Sequence, residues 1–121
     1  MNDRSVLRGK SFNFSLQVIE LCKLLKESKT EYALYNQLLR SGTSIGALIR
    51  EAEYAQSKAD FINKLSIALK EANETQYWVE LLTSQQHIRE SLNKQILTTL
   101  LEIIKMLTAS INTAKRNNSK K

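Results

Sequence analysis

Apolar residues recur every three or four positions along nearly the whole chain, the period of a helix face rather than the period of two that marks a strand. From Ser11 to Glu27 the repeat is Phe14, Val18, Leu21 and Leu25, with Ile19 and Cys22 beside it. It stops at "ESKTE", where Ser28 and Glu31 have the spacing of a capping box. A second helix is therefore predicted from about Lys29 to Ala55. It carries two adjacent stripes, one through Leu34, Leu38, Ser41, Ile45, Leu48, Ala52 and Ala55, the other through Tyr35, Leu39, Gly42, Gly46 and Ile49. Two stripes imply more than one neighbour. Ser57 and Asp60 signal the next helix start, and a third helix is predicted over Lys58 to Gln85, with Phe61, Leu65, Ala68, Ala72, Thr75, Val79 and Leu82 on its main face. The polar run "SQQHIRES" interrupts the pattern. A fourth helix follows from Arg89 to Ala114, where Ile96, Leu97, Leu100, Leu101, Ile103, Ile104, Leu107 and Ile111 cover a wide arc.

Short connections force successive helices to lie antiparallel. The fold class expected is all-α: an up-down-up-down antiparallel four-helix bundle in one domain, residues 1–114, followed by a basic flexible tail at 115–121. The absence of proline from the chain agrees with long uninterrupted helices. Apolar surface beyond one bundle core's needs, on the second and fourth helices, predicts a homo-oligomer.

Two of the three glycines, Gly42 and Gly46, lie four residues apart inside the second predicted helix. A phosphate loop of the Walker type needs a preceding strand, a longer glycine spacing and a lysine. "SGTSIG" has none of these. A glycine inside a helix costs about 1 kcal/mol relative to alanine, and close approach of another backbone is the usual compensation. With a turn at Gln56–Ser57, Gly46 is expected to face Ile67 and Gly42 to lie near Glu71. Gly42, Gly46, Ala68 and Ala72 would then make a tight contact between the second and third helices. The same pairing brings Arg40 to Glu71 and Glu74 as an ion pair that fixes the register.

The formal net charge is +6 and is uneven. Residues 1–30 hold six basic against three acidic residues, residues 87–121 seven against two, and the segment between them five against seven. Basic ends attract nucleic acid or another polyanion; a solubilising tail is the plain alternative for "KRNNSKK". The single cysteine, Cys22, excludes an internal disulfide and a cysteine-cluster metal site, and its apolar neighbours predict a buried thiol. The pattern predicts no secretory leader, and no apolar stretch is expected to approach the ~20 residues of a membrane span, so a cytoplasmic protein without a membrane partner is expected.

Candidate chemistry is sparse. His87 is the only histidine and falls in a predicted loop. Glu71 and Glu74 share a helix face, but the Glu-x-x-His motif of di-iron bundles is missing, so ion pairing is expected rather than a metal. Tyr77 and Trp78 read as core or interface, with a base-stacking platform as the alternative. No catalytic residue, metal or cofactor is assigned.

The run from Gln37 to Leu82, "QLLRSGTSIGALIREAEYAQSKADFINKLSIALKEANETQYWVELL", resembles the bacterial four-helix-bundle family encoded in intervening sequences of 23S ribosomal RNA genes. That family is related to the accessory variability proteins of diversity-generating retroelements. The matching positions on the second helix are Arg40, Ser41, Ser44, Ile45, Gly46, Ala47 and Glu51; Leu48 departs from the pattern, where the family often has asparagine. The resemblance implies a ring-shaped homopentamer of bundles with a basic surface able to bind RNA or DNA. In the retroelement relatives it implies partnership with a reverse transcriptase. The leading expectation is a non-enzymatic, nucleic-acid-associated scaffold, with Lys23, Lys26, Lys29, Lys115 and Arg116 as phosphate contacts. The alternative is a protein-interaction adaptor such as a reverse-transcriptase accessory subunit.

Overall fold

The computed structural model describes residues 3–119, and side chains from residue 4 to residue 117. Four helices make up the chain: α1 (Asp3–Glu27), α2 (Tyr32–Glu53), α3 (Lys58–Ser84) and α4 (Glu90–Ser119). Each packs antiparallel against the next, and α4 closes the bundle against α1. The α1–α4 contact is the thinnest of the four.

The core is built from the predicted faces. Phe14, Val18, Leu21 and Leu25 of α1, Leu38, Ile45 and Ala52 of α2, Leu65, Ala68, Ala72, Thr75, Val79 and Leu82 of α3, and Ile96, Leu100, Ile103, Leu107 and Ile111 of α4 are all buried. Two boundaries differ from expectation. α1 begins eight residues before Ser11, and Leu7 and Ser11 are both buried within it. α4 continues through Lys115 and Arg116 to Ser119, so the segment expected to be a flexible tail is helical as far as Ser119. Lys120 and Lys121 lie outside the described residues. α4 is also, among the described residues, the one helix long and apolar enough to cross a membrane, over Glu90–Asn117. That corrects the expectation that no stretch reaches this length. Ile96, Leu100, Ile103, Leu107 and Ile111 of this helix are buried in the bundle core, and Leu101 is about half exposed.

The turns explain which cap signals held. Ser57 is extended (φ −156°, ψ 166°), and its hydroxyl accepts from the Asp60 N–H at 3.0 Å. The Asp60 carboxylate accepts in return from the Gln56 N–H at 3.3 Å. The Ser28–Glu31 box does not form. The Ser28 hydroxyl instead donates back to the carbonyls of Leu24 and Leu25, and α2 starts after Glu31 without a side-chain cap. The cause is the way α1 ends. Thr30 N–H donates to the Leu25 carbonyl (3.0 Å) and Lys29 N–H to the Lys26 carbonyl (3.1 Å), with Lys29 left-handed at φ 62°. This is a Schellman stop, and it takes up residues 28–30.

α3 ends identically. His87 N–H donates to Leu82 and Gln86 N–H to Thr83, both at 2.9 Å, with Gln86 at φ 63°. A side chain in the left-handed region carries a steric cost that glycine avoids. Lys29→Gly and Gln86→Gly are each expected to stabilise the fold by about 0.5–1 kcal/mol, seen as a higher urea midpoint with an unchanged slope.

The glycines face a different helix from the one expected. A Cβ on Gly42 would lie 2.9 Å from both methyls of Val18, and one on Gly46 would lie 3.3 Å from the Ser11 carbonyl oxygen and 3.4 Å from the Ser15 hydroxyl. The close approach is therefore between α2 and α1, not between α2 and α3. Ala68 and Ala72 are buried on α3, but the glycines do not meet them. Physically, the first stripe of α2 points at α3 and the second at α1. The glycines belong to the second.

Candidate nucleic-acid interface

Between α2 and α3 a polar seam crosses the packed surface. Arg40 Nη1 bonds Glu71 Oε2 at 2.9 Å, and Arg40 Nη2 bonds the Glu74 carboxylate. The Ser44 hydroxyl donates to Glu71 (3.1 Å), the Trp78 indole N–H donates to Glu74 (3.0 Å), and the buried Ser41 and Thr75 hydroxyls meet at 3.0 Å. Arg40 is about half exposed, whereas Glu71 is mostly buried. Each acceptor in this seam has its donor, so Glu71 and Glu74 are occupied in structure and are not a free acid–base pair. Among the described residues no group of three or more histidine, cysteine, aspartate or glutamate side chains could hold a metal. His87 Nδ1 lies 3.5 Å from the Thr30 hydroxyl, tying the two Schellman turns together at one end of the bundle.

Cys22 is buried and its Sγ lies 3.5 Å from the Tyr35 carbonyl. Burial pushes the thiol up from its ordinary value of 9.0 to about 11. The thiolate is the reactive form. Cys22 is thus expected to resist a thiol-specific disulfide reagent at pH 8 in the native protein and to react stoichiometrically once the chain is unfolded in guanidinium chloride.

The basic residues are distributed differently from their order in sequence. Lys10 of α1 pairs with Glu102 of α4 at 2.6 Å, so these two positions lie at the same level of the antiparallel helices. From that pair Lys26 lies one way along the bundle and Lys115 the other, roughly 40 Å apart at 1.5 Å per residue. Lys23, Lys26 and Lys29 therefore do not share a patch with Lys115 and Arg116. They sit at opposite ends, and Lys23 is paired with Glu20 at 3.3 Å.

The two ends also differ in charge. The end built from the start of α1, the end of α2, the start of α3 and the end of α4 carries nine basic residues: Arg4, Arg8, Lys10, Arg50, Lys58, Lys64, Lys105, Lys115 and Arg116. Against them stand Asp3, Glu51, Glu53, Asp60 and Glu102. At the other end Lys23, Lys26, Lys29, Arg89 and Lys94 are matched by Glu20, Glu27, Glu31, Glu80 and Glu90. The excess positive charge of the described residues is thus gathered at one end. Several of its members have partners: Arg8 lies 3.9 Å from Glu53, Lys64 pairs with Glu51 at 3.3 Å, and the Arg4 and Arg50 guanidiniums lie over the Phe61 and Phe12 rings at 4.8 and 5.3 Å.

A second unsatisfied surface lies on α1. Phe12, Leu16, Ile19 and Leu24 are 37–51% exposed on the side away from the core. Where α1 meets α4, Leu16 and Leu24 line a groove of about 290 Å³ together with Leu21, Leu92 and Ile96. Gln17 lines the same groove, and its buried Oε1 has no hydrogen-bond partner. The surplus apolar surface expected on the second and fourth helices is thus found chiefly on α1. The second stripe of α2 is used up against α1, and of the wide arc on α4 only Leu101 is largely exposed, with Leu97 and Ile104 packed at the core edge.

The profile of the 23S rRNA-intervening sequence protein family matches residues 5–109, which is nearly all of the bundle. The chain belongs to this family. A crystal structure from Bacteroides thetaiotaomicron, of a protein with unknown function from the S23 ribosomal protein family, superposes with a TM-score of 0.89 at 49% identity. That match covers 92% of this chain and 99% of the other. No curated protein matches. Membership in the 23S rRNA-intervening sequence protein family thus carries the four-helix architecture with it. The basic end and the α1 stripe are features of this chain's own side chains.

Proposed function

We propose that this 23S rRNA-intervening sequence protein is a non-enzymatic, cytoplasmic scaffold that assembles with copies of itself and binds RNA or DNA through its basic end. The observation that carries this reading is the gathering of nine basic residues from four helices at one end, against an evenly balanced opposite end. Such an end attracts phosphate without reading sequence. This moves the expected phosphate contacts. Lys115 and Arg116 stay in the interface, joined by Lys58 and Lys105, whereas Lys23, Lys26 and Lys29 leave it.

The α1 stripe supports assembly. Four large apolar side chains, each roughly half exposed, offer on the order of 400 Å², about half of what one partner contributes to a standard stable interface. A second copy of the chain is the occupant assigned here, in the ring of five that the family resemblance implies. A ring would repeat the basic end around one axis and raise affinity by multivalency.

The test is a filter-binding titration of single-stranded RNA and of DNA at several salt concentrations. Affinity should fall steeply as salt rises; absence of binding at low salt would refute the reading. A stoichiometric foreign protein that survives nuclease treatment of the purified material would favour the adaptor role, of which a reverse transcriptase accessory subunit is the example.

A further inference from the structure

At the basic end a cleft of about 720 Å³ opens among the start of α1, the end of α2, the start of α3 and the end of α4. Phe61 and Met106 give it apolar lining and Arg4, Lys58, Ser110 and Asn117 polar lining; the Glu53 carboxylate, 3.9 Å from Arg8, lines it as well. Arg4 lies over the Phe61 ring at 4.8 Å, so a guanidinium backed by an aromatic ring lines the cleft. Lys58 forms no ion pair among the described residues. The combination differs from a plain basic surface. A surface that only tracks phosphates needs no concavity and no stacked plane. Bases splayed from a single strand, by contrast, stack on aromatic rings or on guanidinium planes and take hydrogen bonds on their edges. A base held within a duplex cannot enter such a cleft without being flipped out, at an energetic cost.

We propose that this cleft takes one unpaired nucleotide of a single strand, its base stacked on the Arg4–Phe61 pair and its phosphate held by Lys58, so that the protein prefers single-stranded over double-stranded nucleic acid. This rests on the reading of the basic end as a nucleic-acid interface, and adds to it a strand selectivity that charge alone does not give. Ser110 and Asn117 supply a hydroxyl and an amide to the base edge.

The probes are a fluorescein-labelled oligoadenylate, the same strand annealed to oligouridylate, and unlabelled AMP as competitor, each followed by anisotropy at fixed salt. The wild-type protein should bind the single strand at least ~5-fold more tightly than the duplex, the low end of what one stacked base contributes. Phe61→Leu and Arg4→Lys should each erase most of that preference, read as the ratio of the single-strand to the duplex affinity. Lys58→Gln should weaken binding of the single strand and lower its salt slope by about 1. AMP should compete for the wild-type protein and not for Arg4→Lys. Because Phe61 also packs against the core, its variant is read beside a urea melt, and Arg4→Lys, with an exposed side chain, carries the test if Phe61→Leu unfolds. Equal affinity for the two strands in the wild type, or a preference untouched by Arg4→Lys, overturns the cleft while leaving the basic-end reading intact. Failure of the wild type to bind either probe overturns both.

Discussion

Replacing Gly42 with leucine is expected to prevent the native bundle from forming. A single Cβ at this position would already sit 2.9 Å from both methyls of Val18 and 3.3 Å from its Cβ, and Val18 is fully buried with a β-branched side chain that has little room to turn. For Gly42→Ala, overpacking costs typically 1–3 kcal/mol, and the better helix propensity of alanine returns about 1 kcal/mol. The net expectation is a loss of up to about 2 kcal/mol. Leucine adds three more carbons to the same contact, and the separation of α1 and α2 it demands approaches the whole stability of about 5–15 kcal/mol that a domain of this kind possesses. Loss of the far-ultraviolet helical signal, or a protein found only in the insoluble fraction, is the outcome to look for. Val18→Ala should rescue Gly42→Ala, because it removes the two methyls concerned, and a double-mutant cycle should show a coupling above 0.5 kcal/mol. Gly9 is the control. Nothing lies within 4 Å of a Cβ there, so Gly9→Ala should stabilise the protein by about 1 kcal/mol.

Leu16→Glu should break the assembly without breaking the fold. Leu16 is about half exposed, on the outer side of α1, and borders the groove that holds the unpartnered Gln17 oxygen. In an isolated bundle a glutamate there would remain in water and cost little. In an interface it would bury a charge with no partner, at a cost of several kcal/mol repeated at every subunit contact. Light scattering should therefore report a multiple of 13.9 kDa for the wild type, near fivefold for the ring, and the monomer mass for Leu16→Glu. The helical signal and the urea midpoint of the separated chain should persist. A wild-type protein that is already monomeric at micromolar concentration would remove the basis for assembly through α1.

Helix periodicity alone was enough to find four helices, their order and most of the buried positions, because each helix buries a face of its own. Ser57 and Asp60 were legible because a cap is a local event. Ser28 and Glu31 look the same in sequence, yet the Schellman turn at Lys29 claims Ser28 first, and a left-handed lysine leaves no compositional mark. The Arg40 pairs with Glu71 and Glu74 followed from the antiparallel register of two helices joined by a short turn. The glycines were recognised as a contact, but their partner depends on how the two stripes of α2 are shared between α1 and α3, which is a matter of the bundle's cross-section. The basic end was hidden for the same reason. Its nine residues come from stretches of four helices far apart in sequence, whereas Lys23, Lys26 and Lys29 stand close together in the sequence and fold to an end where acids cancel them. Arg4 over Phe61 joins residues on α1 and α3 and has no local signal at all.

The most direct test of a basic end that binds nucleic acid compares two triple variants in one salt titration against single-stranded RNA. Lys58→Glu/Lys105→Glu/Lys115→Glu reverses three positive charges at the end with the excess, and Lys23→Glu/Lys26→Glu/Lys29→Glu makes the same change in net charge at the balanced end. The first should lose at least about a hundredfold in affinity at 50 mM salt, with a salt slope smaller by about 2–3. The second should stay within about threefold of the wild type. Equal losses in the two variants would mean that only overall charge matters, and a larger loss in the second would place the nucleic acid at the wrong end of the bundle.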